Sequence, residues 1–519
     1  MPAAPVSEPP AEPGAPLVSG EAVISASNSA GPVSGETVYG ERVSGETISS
    51  ERVSGDSVSG EPVSGATVAA LRQRVTQGDS LPLAWRLEQL DRLERLCAEG
   101  EGAVLEALAA DLGKPPVEAF FELVAVRQEI RLCRQKLRRW MAPRPVAVPL
   151  SLQPGRAESQ AQPLGCVLII GPWNYPFHLL LQPLVSALAA GNTAVLKPSE
   201  HAPATAALVA ELVARHLDPG VVRLVQGDGQ VAQELLQLRF DHIFFTGGER
   251  VGRLVMAAAA PHLTPVTLEL GGKSPAVVLA DADLEVTARR LVWGKSLNGG
   301  QTCIAPDHLL VEESIRQDLI GRLSSRITAC FGANPLQSPD LARIVNRAQF
   351  DRLSALLEGA RQRGQVLFGG QSDPERLRIA PTLLAVDDPS DPLMASELFG
   401  PLLPILGVTC LTEAITAINS RPKPLALYLF SRSEAAEGQL LAGTSSGSYC
   451  RNDVVMQAGI PELAFGGVGA SGMGSYHGQA GFDTFSHQRS LLRRPFALDL
   501  PFRYPPYGNK LNLVKRLLG

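Results

Sequence analysis

Strand-like and helix-like segments alternate through the middle of this 519-residue chain, and the alternation restricts the folds open to it. Between Pro163 and Gly248 lie four short apolar runs, each bounded by glycine, proline or polar residues. Longer apolar or amphipathic stretches of helical length separate these runs. Strands joined by helical crossovers form parallel sheets with helices on both faces. The sequence therefore predicts a doubly wound α/β domain.

Polar and aromatic residues follow the predicted strands, at the edge where such sheets bind ligands. Trp173 and Asn174 come after the first strand, Lys197 ends the second, and Thr246 ends the fourth. The junction T-G-G-E-R-V-G, Thr246–Gly252, then leads into a helix whose first N–H groups can meet an anion. It is not the G-x-G-x-x-G pattern, so by itself it indicates phosphate binding only weakly.

Two motifs further along the chain carry groups suited to covalent catalysis. V-T-L-E-L-G-G-K-S-P contains Glu269 on a predicted strand that runs into a Gly-Gly turn. N-G-G-Q-T-C ends with Cys303 in a loop of small and polar residues. A thiol can attack a small substrate, and a neighbouring carboxylate can activate the thiol or a water. A single loop cysteine is more often inert, so the flanking sequence has to decide.

The order and spacing of these motifs resemble the aldehyde dehydrogenase superfamily, in which E-L-G-G-K-S-P precedes G-Q-T-C by about thirty residues. P-W-N-Y-P-F, K-P-L-A-L-Y-L-F and F-G-G-V-G-A-S-G-M-G-S-Y-H-G are similar to its class 3 branch of fatty and aromatic aldehyde dehydrogenases. The resemblance covers roughly residues 71–492. It implies a Rossmann-like cofactor domain, an α/β catalytic domain and a small bridging element that builds a homodimer. It also implies NAD(P)⁺-dependent oxidation of medium- or long-chain aliphatic or aromatic aldehydes to carboxylates.

The resemblance assigns roles in catalysis. Cys303 is the expected nucleophile, and Glu269 is the expected base for hydrolysis of the thioester. The side chain of Asn174 and the backbone N–H of Cys303 form the expected oxyanion hole. Tyr175 and His477 are expected to line the aldehyde channel.

The resemblance also assigns a set of cofactor-binding residues. Glu397 and Phe399 are expected at the nicotinamide ribose and ring, and Lys197 and Glu200 at the adenosine ribose. A glutamate there repels a 2′-phosphate, which favours NAD slightly over NADP. The expected cofactor residues are Trp173, which is also a candidate for the channel, Lys197, Glu200, Thr246, Gly247, Gly252, Gly271, Glu397 and Phe399.

Two alternatives stay open at the level of sequence. One is an acylating dehydrogenase that passes its acyl group to coenzyme A, and the other is a non-catalytic protein that kept the fold. The presence of Cys303, Glu269 and Asn174 argues against both. The chain departs from the family at Gly248 and Glu249, where serine and threonine are usual, so Glu249 has to point away from a bound phosphate.

The predicted organisation begins with a tail over residues 1–68. Repeats of the V-S-G-E type start there at Val18, Val33, Val43, Val53, Val58 and Val63. Such a composition buries too little apolar surface to fold, so we expect disorder; a short β-solenoid is the alternative. Residues 69–270 are predicted to form the cofactor domain, with the bridging element near 145–162. Residues 271–455 are predicted as the catalytic domain, and 456–519 as a return segment with a dimer-bridging strand and a C-terminal tail.

Charge and cysteine content limit the partners. The net charge of -5 gives no reason to expect a nucleic-acid partner. The seven cysteines include no C-x-x-C pair, so neither a metal site nor a disulfide framework is expected, which suits a cytoplasmic protein.

No apolar run reaches the ~18 residues that a transmembrane helix needs. The C-terminal N-K-L-N-L-V-K-R-L-L-G has the pattern of a short amphipathic helix, for which weak contact with a membrane surface is one use.

Overall fold

The computed structural model of the protein describes residues 63–497, 499 and 503–518. Its α-helices are α1 (Gly65–Gln77), α2 (Leu83–Glu99), α3 (Glu101–Leu112), α4 (Pro116–Met141), α5 (His178–Ala190), α6 (Pro203–His216), α7 (Gly229–Leu236), α8 (Glu249–Ala259), α9 (Leu284–Ser296), α10 (Arg316–Phe331), α11 (Arg347–Gln362), α12 (Pro392–Ala395), α13 (Leu411–Asn419), α14 (Glu434–Gly443), α15 (Gly478–Thr484) and α16 (Lys510–Leu518). Its strands are β1 (Arg144–Val146), β2 (Arg156–Pro163), β3 (Cys166–Ile170), β4 (Thr193–Lys197), β5 (Val222–Leu224), β6 (His242–Thr246), β7 (Val266–Glu269), β8 (Pro275–Val278), β9 (His308–Glu312), β10 (Val366–Phe368), β11 (Ser372–Asp373), β12 (Arg378–Ile379), β13 (Thr382–Ala385), β14 (Leu402–Val408), β15 (Ala426–Phe430), β16 (Ser448–Arg451), β17 (Gly472–Met473) and β18 (Ser486–Arg493).

The first large sheet has six strands in the order β17-β7-β6-β3-β4-β5. Its neighbouring strands run parallel, except that β17 pairs antiparallel with β7. The chain enters at β3, extends to one side through β4 and β5, and then continues on the other side of β3 with β6 and β7. The strand order therefore reverses between β3 and β6, where open α/β sheets bind ligands. The predicted doubly wound α/β fold is confirmed.

Helices cover both faces of this sheet. Successive side chains of a strand point to opposite faces, and here the side chains on both faces are apolar and have to be buried. On β3, Val167 and Ile169 share a core cluster with residues of α5 and α6. Leu168, between them, packs instead in the cluster that contains residues of α1 and α8. Helix α5 is buried along almost its whole length, since it contacts β3 and β4 on one side and α4 on the other.

A second large sheet has seven strands in the order β10-β13-β14-β9-β8-β15-β16. Its neighbours are parallel apart from β10, which runs antiparallel to β13. The central strands β8 and β15 are buried at every position, and their side chains are almost all apolar. Parallel strands covered on both faces have this composition.

A third sheet has three antiparallel strands in the order β1-β2-β18. Strands β2 and β18 pair along their whole length, from Pro163 opposite Ser486 to Arg156 opposite Arg493. Polar and half-buried residues dominate β2, so one face of this sheet has no thick apolar core beneath it. The bridging element predicted near residues 145–162 overlaps this sheet at β1 and β2.

The edge strand β17 depends on a glycine. Gly472 has a φ of 141°, and a Cβ at this position would lie 2.2 Å from the backbone oxygen of Leu268 in β7. Only a residue without a side chain lets the two backbones approach so closely. Residues 472–473 thereby return to the first sheet and extend it beside Glu269.

The helical region begins earlier than predicted. Helix α1 starts at Gly65, inside the segment 1–68 that the sequence assigned to a disordered tail. Ser64 and Thr67 form a reciprocal capping box: the side-chain oxygen of each accepts from the backbone N–H of the other, both at 3.3 Å. The last repeat therefore supplies a helix cap, because its serine occupies the N-cap position. The disorder or solenoid predicted for residues 1–62 lies outside the described residues.

None of the helices in the described part of the chain is both long and apolar enough to cross a membrane. Helix α16 is present as the C-terminal pattern predicts, with Lys515 and Arg516 in its last turn and Leu511 and Leu513 exposed.

Candidate active site

A cavity of about 570 Å³ lies at the switch between β3 and β6, and loops from both large sheets line it. Of the residues predicted from the sequence, the following line it: Trp173, Asn174, Tyr175, Thr246, Gly247, Glu269, Gly271, Cys303, Glu397, Phe399 and His477. Lys197, Glu200 and Gly252 are not among the lining residues. The structure thus brings the expected nucleophile, base and oxyanion amide to one site.

Cys303 sits in a loop that is held in an unusual conformation. The preceding residues Asn298, Gly299 and Gly300 all have positive φ, of 54°, 62° and 78°. The thiol is half-buried and faces the cavity. Burial raises its pKa to about 12, and the carboxyl groups of Glu397 and Glu269 add to the effect. The resting thiol is therefore protonated at neutral pH, so attack on a substrate requires its proton to be removed.

Asn174 is fixed against the loop that carries the thiol. It is 4% exposed, and its side-chain amide donates to the backbone oxygen of Gln301 at 3.0 Å. A primary amide has two N–H groups, so one remains to meet an oxygen of a bound substrate. The backbone N–H groups of Cys303 and Ile304 already face the sulfur, and they lower the thiol pKa against the effect of burial.

Glu269 ends β7, with Thr246 opposite it on β6 and Gly472 opposite it on β17. Its side chain is 3% exposed, and neither carboxyl oxygen has a hydrogen-bond partner among the described residues. Burial raises the pKa of Glu269 well above its ordinary value. A carboxyl group left unpaired in a cavity wall is costly for folding, and such groups are concentrated at functional sites.

The strand-to-helix junction after β6 suits the pyrophosphate of a dinucleotide. Helix α8 starts after Gly248 without a side-chain cap, so its first N–H groups are open to an anion. The hydroxyl of Thr246 is buried beside them without a partner in the described chain. A Cβ at Gly252 would lie 2.9 Å from Leu270, which shows how closely the helix packs there. Glu249 pairs with Arg253 on the exposed side of α8, away from the cavity as the sequence required.

The opposite wall has the groups expected at a nicotinamide ribose. Glu397 approaches Gly271 so closely that a Cβ there would lie 2.0 Å from its carboxylate. The backbone N–H of Gly272 bonds to Glu397, but burial, followed by the charge of Asp307, raises its pKa to about 8. Phe399 packs edge-on against Trp173, with ring centroids 5.2 Å apart. A flat aromatic ring and a carboxyl group therefore share one side of the cavity.

Lys197 and Glu200 lie at the carboxyl end of β4. The ammonium of Lys197 bonds to the carboxylate of Glu200 at 3.2 Å and to the backbone oxygen of Pro198 at 2.9 Å. Partial burial opposes ionisation of Glu200, but a backbone hydrogen bond and the charge of Lys197 together lower its pKa. Glu200 is therefore an anion at neutral pH, ready to accept from a hydroxyl group.

Two of the predicted channel residues have different environments. The hydroxyl of Tyr175 lies 2.6 Å from that of Thr302, next to the nucleophile. His477 is 3% exposed and stacks on Phe465 at 5.4 Å. Burial lowers the pKa of His477 to about 3, so its ring is neutral, and the residue is part of the cavity lining.

Sequence reasoning missed a group of charged residues beside the cavity, and one of them, Glu122, is among its lining residues. Lys114 and Glu122 form an ion pair in which both side chains are fully buried. Glu118, one turn earlier on α4, bonds to the backbone N–H of Asn298 at 2.8 Å. The glutamate spacing of four residues on one face of an amphipathic helix was the available indication.

Residues 57–491 match the family model described as "Aldehyde dehydrogenase family". The chain belongs to the aldehyde dehydrogenase family. As a member, it is an NAD(P)-dependent oxidoreductase that oxidises aldehydes to carboxylates.

Similar proteins include named family 3 members, which confirms the resemblance to the class 3 branch. The rat aldehyde dehydrogenase family 3 member A2 is 47% identical over 85% of this chain and 90% of its own length. The rat enzyme named "Aldehyde dehydrogenase, dimeric NADP-preferring" is 44% identical over 86% of this chain and 98% of its own. The structure of the substrate-bound state of Staphylococcus aureus AldH has a TM-score of 0.85 and 41% identity, covering 88% of this chain and 99% of that one.

Proposed function

We propose that Cys303 is the nucleophile of this aldehyde dehydrogenase. The observation that carries the proposal is the meeting of Cys303, Asn174 and Glu269 in one cavity. The thiol gives up its proton, to Glu269 or to water, and the sulfur attacks the aldehyde carbon, so that the carbonyl oxygen becomes negative in a thiohemiacetal. The free N–H of Asn174 and the backbone N–H of Cys303 stabilise this oxygen, and losing one such donor typically costs ~10²–10³ in rate.

Glu269 is proposed as the general base that activates water for hydrolysis of the thioester. Its burial raises its pKa and makes it a stronger base once it is ionised. Because both carboxyl oxygens lack partners among the described residues, the side chain is free to turn toward the thioester. The thioester forms when the thiohemiacetal carbon gives up a hydride, and NAD(P)⁺, when bound, would supply the nicotinamide that accepts it. The proposed chemistry uses no metal.

The cofactor site is proposed to hold the pyrophosphate at Thr246, Gly247 and the start of α8, and the adenosine ribose at Lys197 and Glu200. The anionic Glu200 accepts from a 2′-hydroxyl and repels a 2′-phosphate, so we propose a modest preference for NAD. The partnership with Lys197 reduces that repulsion. The preference for NAD proposed here differs from the cofactor preference in the name of the rat relative, which is called NADP-preferring.

The substrate is proposed to be a medium- or long-chain aliphatic or an aromatic aldehyde. Apolar side chains make up a large part of the cavity lining. They include Phe121, Leu179, Trp293, Met456 and Phe465. Each methylene of the substrate that is buried against an apolar wall makes the free energy of binding more favourable by about 0.8 kcal/mol. Affinity should therefore rise with chain length until the cavity is filled.

The assembly and setting complete the proposal. We assign residues 69–270 to the cofactor domain, 271–455 to the catalytic domain and 456–519 to the return segment. The edge strand β18 of the bridging sheet is proposed to build a homodimer. A cytoplasmic setting suits the free thiols, and α16 is proposed to make weak contact with membrane surfaces.

The test is incubation of the full-length protein with NAD⁺ and aldehydes from C3 to C16, with and without coenzyme A. The proposed function predicts NADH and free carboxylate without coenzyme A, and a kcat/KM that rises with chain length. Formation of an acyl-coenzyme A product at the expense of carboxylate would instead identify an acylating enzyme. Absence of NADH with every aldehyde would overturn the proposal.

A further inference from the structure

A buried ion pair stands directly behind the proposed oxyanion amide. Lys114 precedes α4 and Glu122 lies within it, and neither side chain is exposed to solvent. Charges removed from water this completely are retained only where they are well paired and hydrogen-bonded. Burying the pair therefore costs free energy of folding. We expect such a pair where its hydrogen bonds hold a backbone segment that apolar side chains could not hold.

The partners of the pair are the two ends of one short segment. The ammonium of Lys114 donates to the backbone oxygen of Asn174 at 2.8 Å. The second carboxylate oxygen of Glu122 accepts from the backbone N–H groups of Phe177 and His178, both at 3.1 Å. The pair thus holds the segment from Asn174 to the start of α5 at both ends.

Glu118 holds the opposite side of the same site. Its carboxylate accepts from the backbone N–H of Asn298 at 2.8 Å. The side chain of Asn298 donates to the backbone oxygen of Asn174 at 2.8 Å and to that of Gln301 at 3.2 Å. Gln301 also accepts from the side chain of Asn174 at 3.0 Å. Asn174 is therefore anchored both to α4 and to the loop of the nucleophile.

The two glutamates are four residues apart on α4, so they project from one face of a single rigid element. One helix therefore fixes the backbone that carries the amide and the backbone that carries the thiol. Shifts of one relative to the other are suppressed, which is the requirement for an oxyanion hole formed before the substrate arrives.

We propose that Lys114, Glu118 and Glu122 are positioning residues that align the Asn174 amide with the Cys303 sulfur. The inference rests on the proposed role of Asn174 in the oxyanion hole. It assigns these residues no contact with the aldehyde or the cofactor, because the side chains of Lys114 and Glu122 are fully buried although Glu122 borders the cavity. Their effect should appear in the rate of the first half-reaction and should disappear when the Asn174 amide is absent.

A double-mutant cycle tests this. The charge-balanced variant Lys114→Met/Glu122→Gln is combined with Asn174→Ala, and the rate of the first NADH turnover is measured by stopped flow. We expect the variant to slow this step by about 10- to 100-fold, since a 1 Å misplacement costs on the order of 10²-fold. In the Asn174→Ala background we expect less than about a twofold further effect, because residues acting through one group are not additive.

Two further measurements separate positioning from general damage. The dissociation constant of NAD⁺ and the KM of the aldehyde should stay within about twofold of wild type, since uniform binding is untouched. Glu106→Gln changes an exposed carboxylate of α3 and should leave the first turnover unchanged. Glu118→Ala leaves the ion pair intact and provides a second cycle with Asn174, should the first variant not fold.

The outcomes are distinguishable. A wild-type first turnover in Asn174→Ala would overturn the proposed function of that amide. A slowed Asn174→Ala enzyme in which the α4 variants lose the same factor again would overturn the positioning inference alone. A slowed first turnover in the α4 variants that vanishes in the Asn174→Ala background supports both.

Discussion

The side-chain amide of Asn174 donates a hydrogen bond to the backbone carbonyl of Gln301 at 3.0 Å. Asn174 follows β3 of the six-stranded sheet, whereas Gln301 belongs to the loop that leads to β9 of the seven-stranded sheet. The bond therefore joins the two halves of the site at the point where Cys303 is presented. A shift between the sheets would move the amide away from the thiol.

The division of labour between Cys303 and Glu269 gives the first prediction. Cys303→Ala should form no NADH at all. Without the thiol no thiohemiacetal forms, and the hydride that reduces NAD⁺ leaves from that intermediate. Glu269→Gln should turn over very slowly at steady state, since hydrolysis of the thioester is slow when no general base activates the attacking water. A burst of NADH, approaching one equivalent per site, should precede this phase. Stopped-flow absorbance at 340 nm measures both.

Hydroxylamine provides the control for that experiment. It attacks a thioester without help from a base, so it should restore part of the turnover in Glu269→Gln and none in Cys303→Ala. The burst will be small if Glu269 also removes the proton from the thiol. Steady-state turnover like that of wild type in Glu269→Gln would contradict the role assigned to this residue.

The raised pKa of Cys303 predicts how the free enzyme reacts with iodoacetamide. With a pKa of about 12, the thiolate fraction grows about tenfold per pH unit throughout the range from pH 7 to pH 9. The rate of alkylation of Cys303, followed by mass spectrometry of its peptide, should rise in the same proportion. Cys303→Ala gives the background from the exposed Cys330 and Cys410. A plateau below pH 8 would show that the thiol ionises far more readily than its burial implies.

The residues with a chemical role were accessible from the sequence because they occupy short motifs. Glu269 and Cys303 stand within a few residues of glycines that fix their turns, and a linear pattern carries that information. The anchoring residues were not accessible. Lys114 contacts the backbone of Asn174, which lies 60 positions later in the sequence, and only the packing of α4 on α5 brings the two together. Their local sequence looks like an ordinary amphipathic helix.

The same reason explains which parts of the fold were missed. Strand β17 has two residues in a glycine-rich stretch, and no periodicity marks it as a strand. It forms because Gly472 lets the chain return against β7. The boundary of the tail was misplaced because Gly65 and Ala66 continue the repeat in sequence. The capping box between Ser64 and Thr67 overrides that likeness.

Cofactor choice depends on Glu200 and its partner. We expect a lower KM for NAD⁺ than for NADP⁺ in the wild-type enzyme, because the ionised Glu200 repels a 2′-phosphate. Glu200→Gln should narrow the ratio of the two kcat/KM values by up to about tenfold, since the Lys197 ammonium screens part of the repulsion. Steady-state kinetics with both cofactors measures the ratio. A strong preference for NADP⁺ in wild type would contradict this assignment.

The cap of α1 predicts where the N-terminal segment can be shortened. Deletion of residues 1–62 should leave turnover and thermal stability unchanged, because Ser64 and the start of α1 are retained. Deletion of residues 1–66 removes the cap and should lower the apparent Tm, as should Ser64→Ala in the full chain, which costs about 1 kcal/mol. Differential scanning fluorimetry compares the three proteins. Equal Tm values for both deletions would show that the cap contributes nothing to stability.

Glu129 predicts a pH-dependent part of the stability. It is fully buried on α4 and accepts from the backbone N–H of Gly478 at 2.8 Å. Burial raises the pKa of Glu129 in the folded protein from 4.5 to about 7. Below pH 4.5 the carboxyl group is neutral in both the folded and the unfolded protein, and above pH 7 it is charged in both. Burying the charged carboxylate costs free energy, and the folded protein bears this cost in full only above pH 7. Stability should fall across this window, by on the order of 3 kcal/mol at most.

Glu129→Gln isolates this contribution, because the amide keeps an acceptor for Gly478 and has no charge to bury. Its apparent Tm relative to wild type should be more favourable at pH 8 than at pH 5. Glu118 and Glu397, whose pKa values burial also raises, titrate in both proteins and cancel in this difference. Glu106→Gln, which changes an exposed carboxylate, should show the same offset at both pH values. An offset for Glu129→Gln that does not change with pH would mean that Glu129 is already ionised in the folded protein at pH 5.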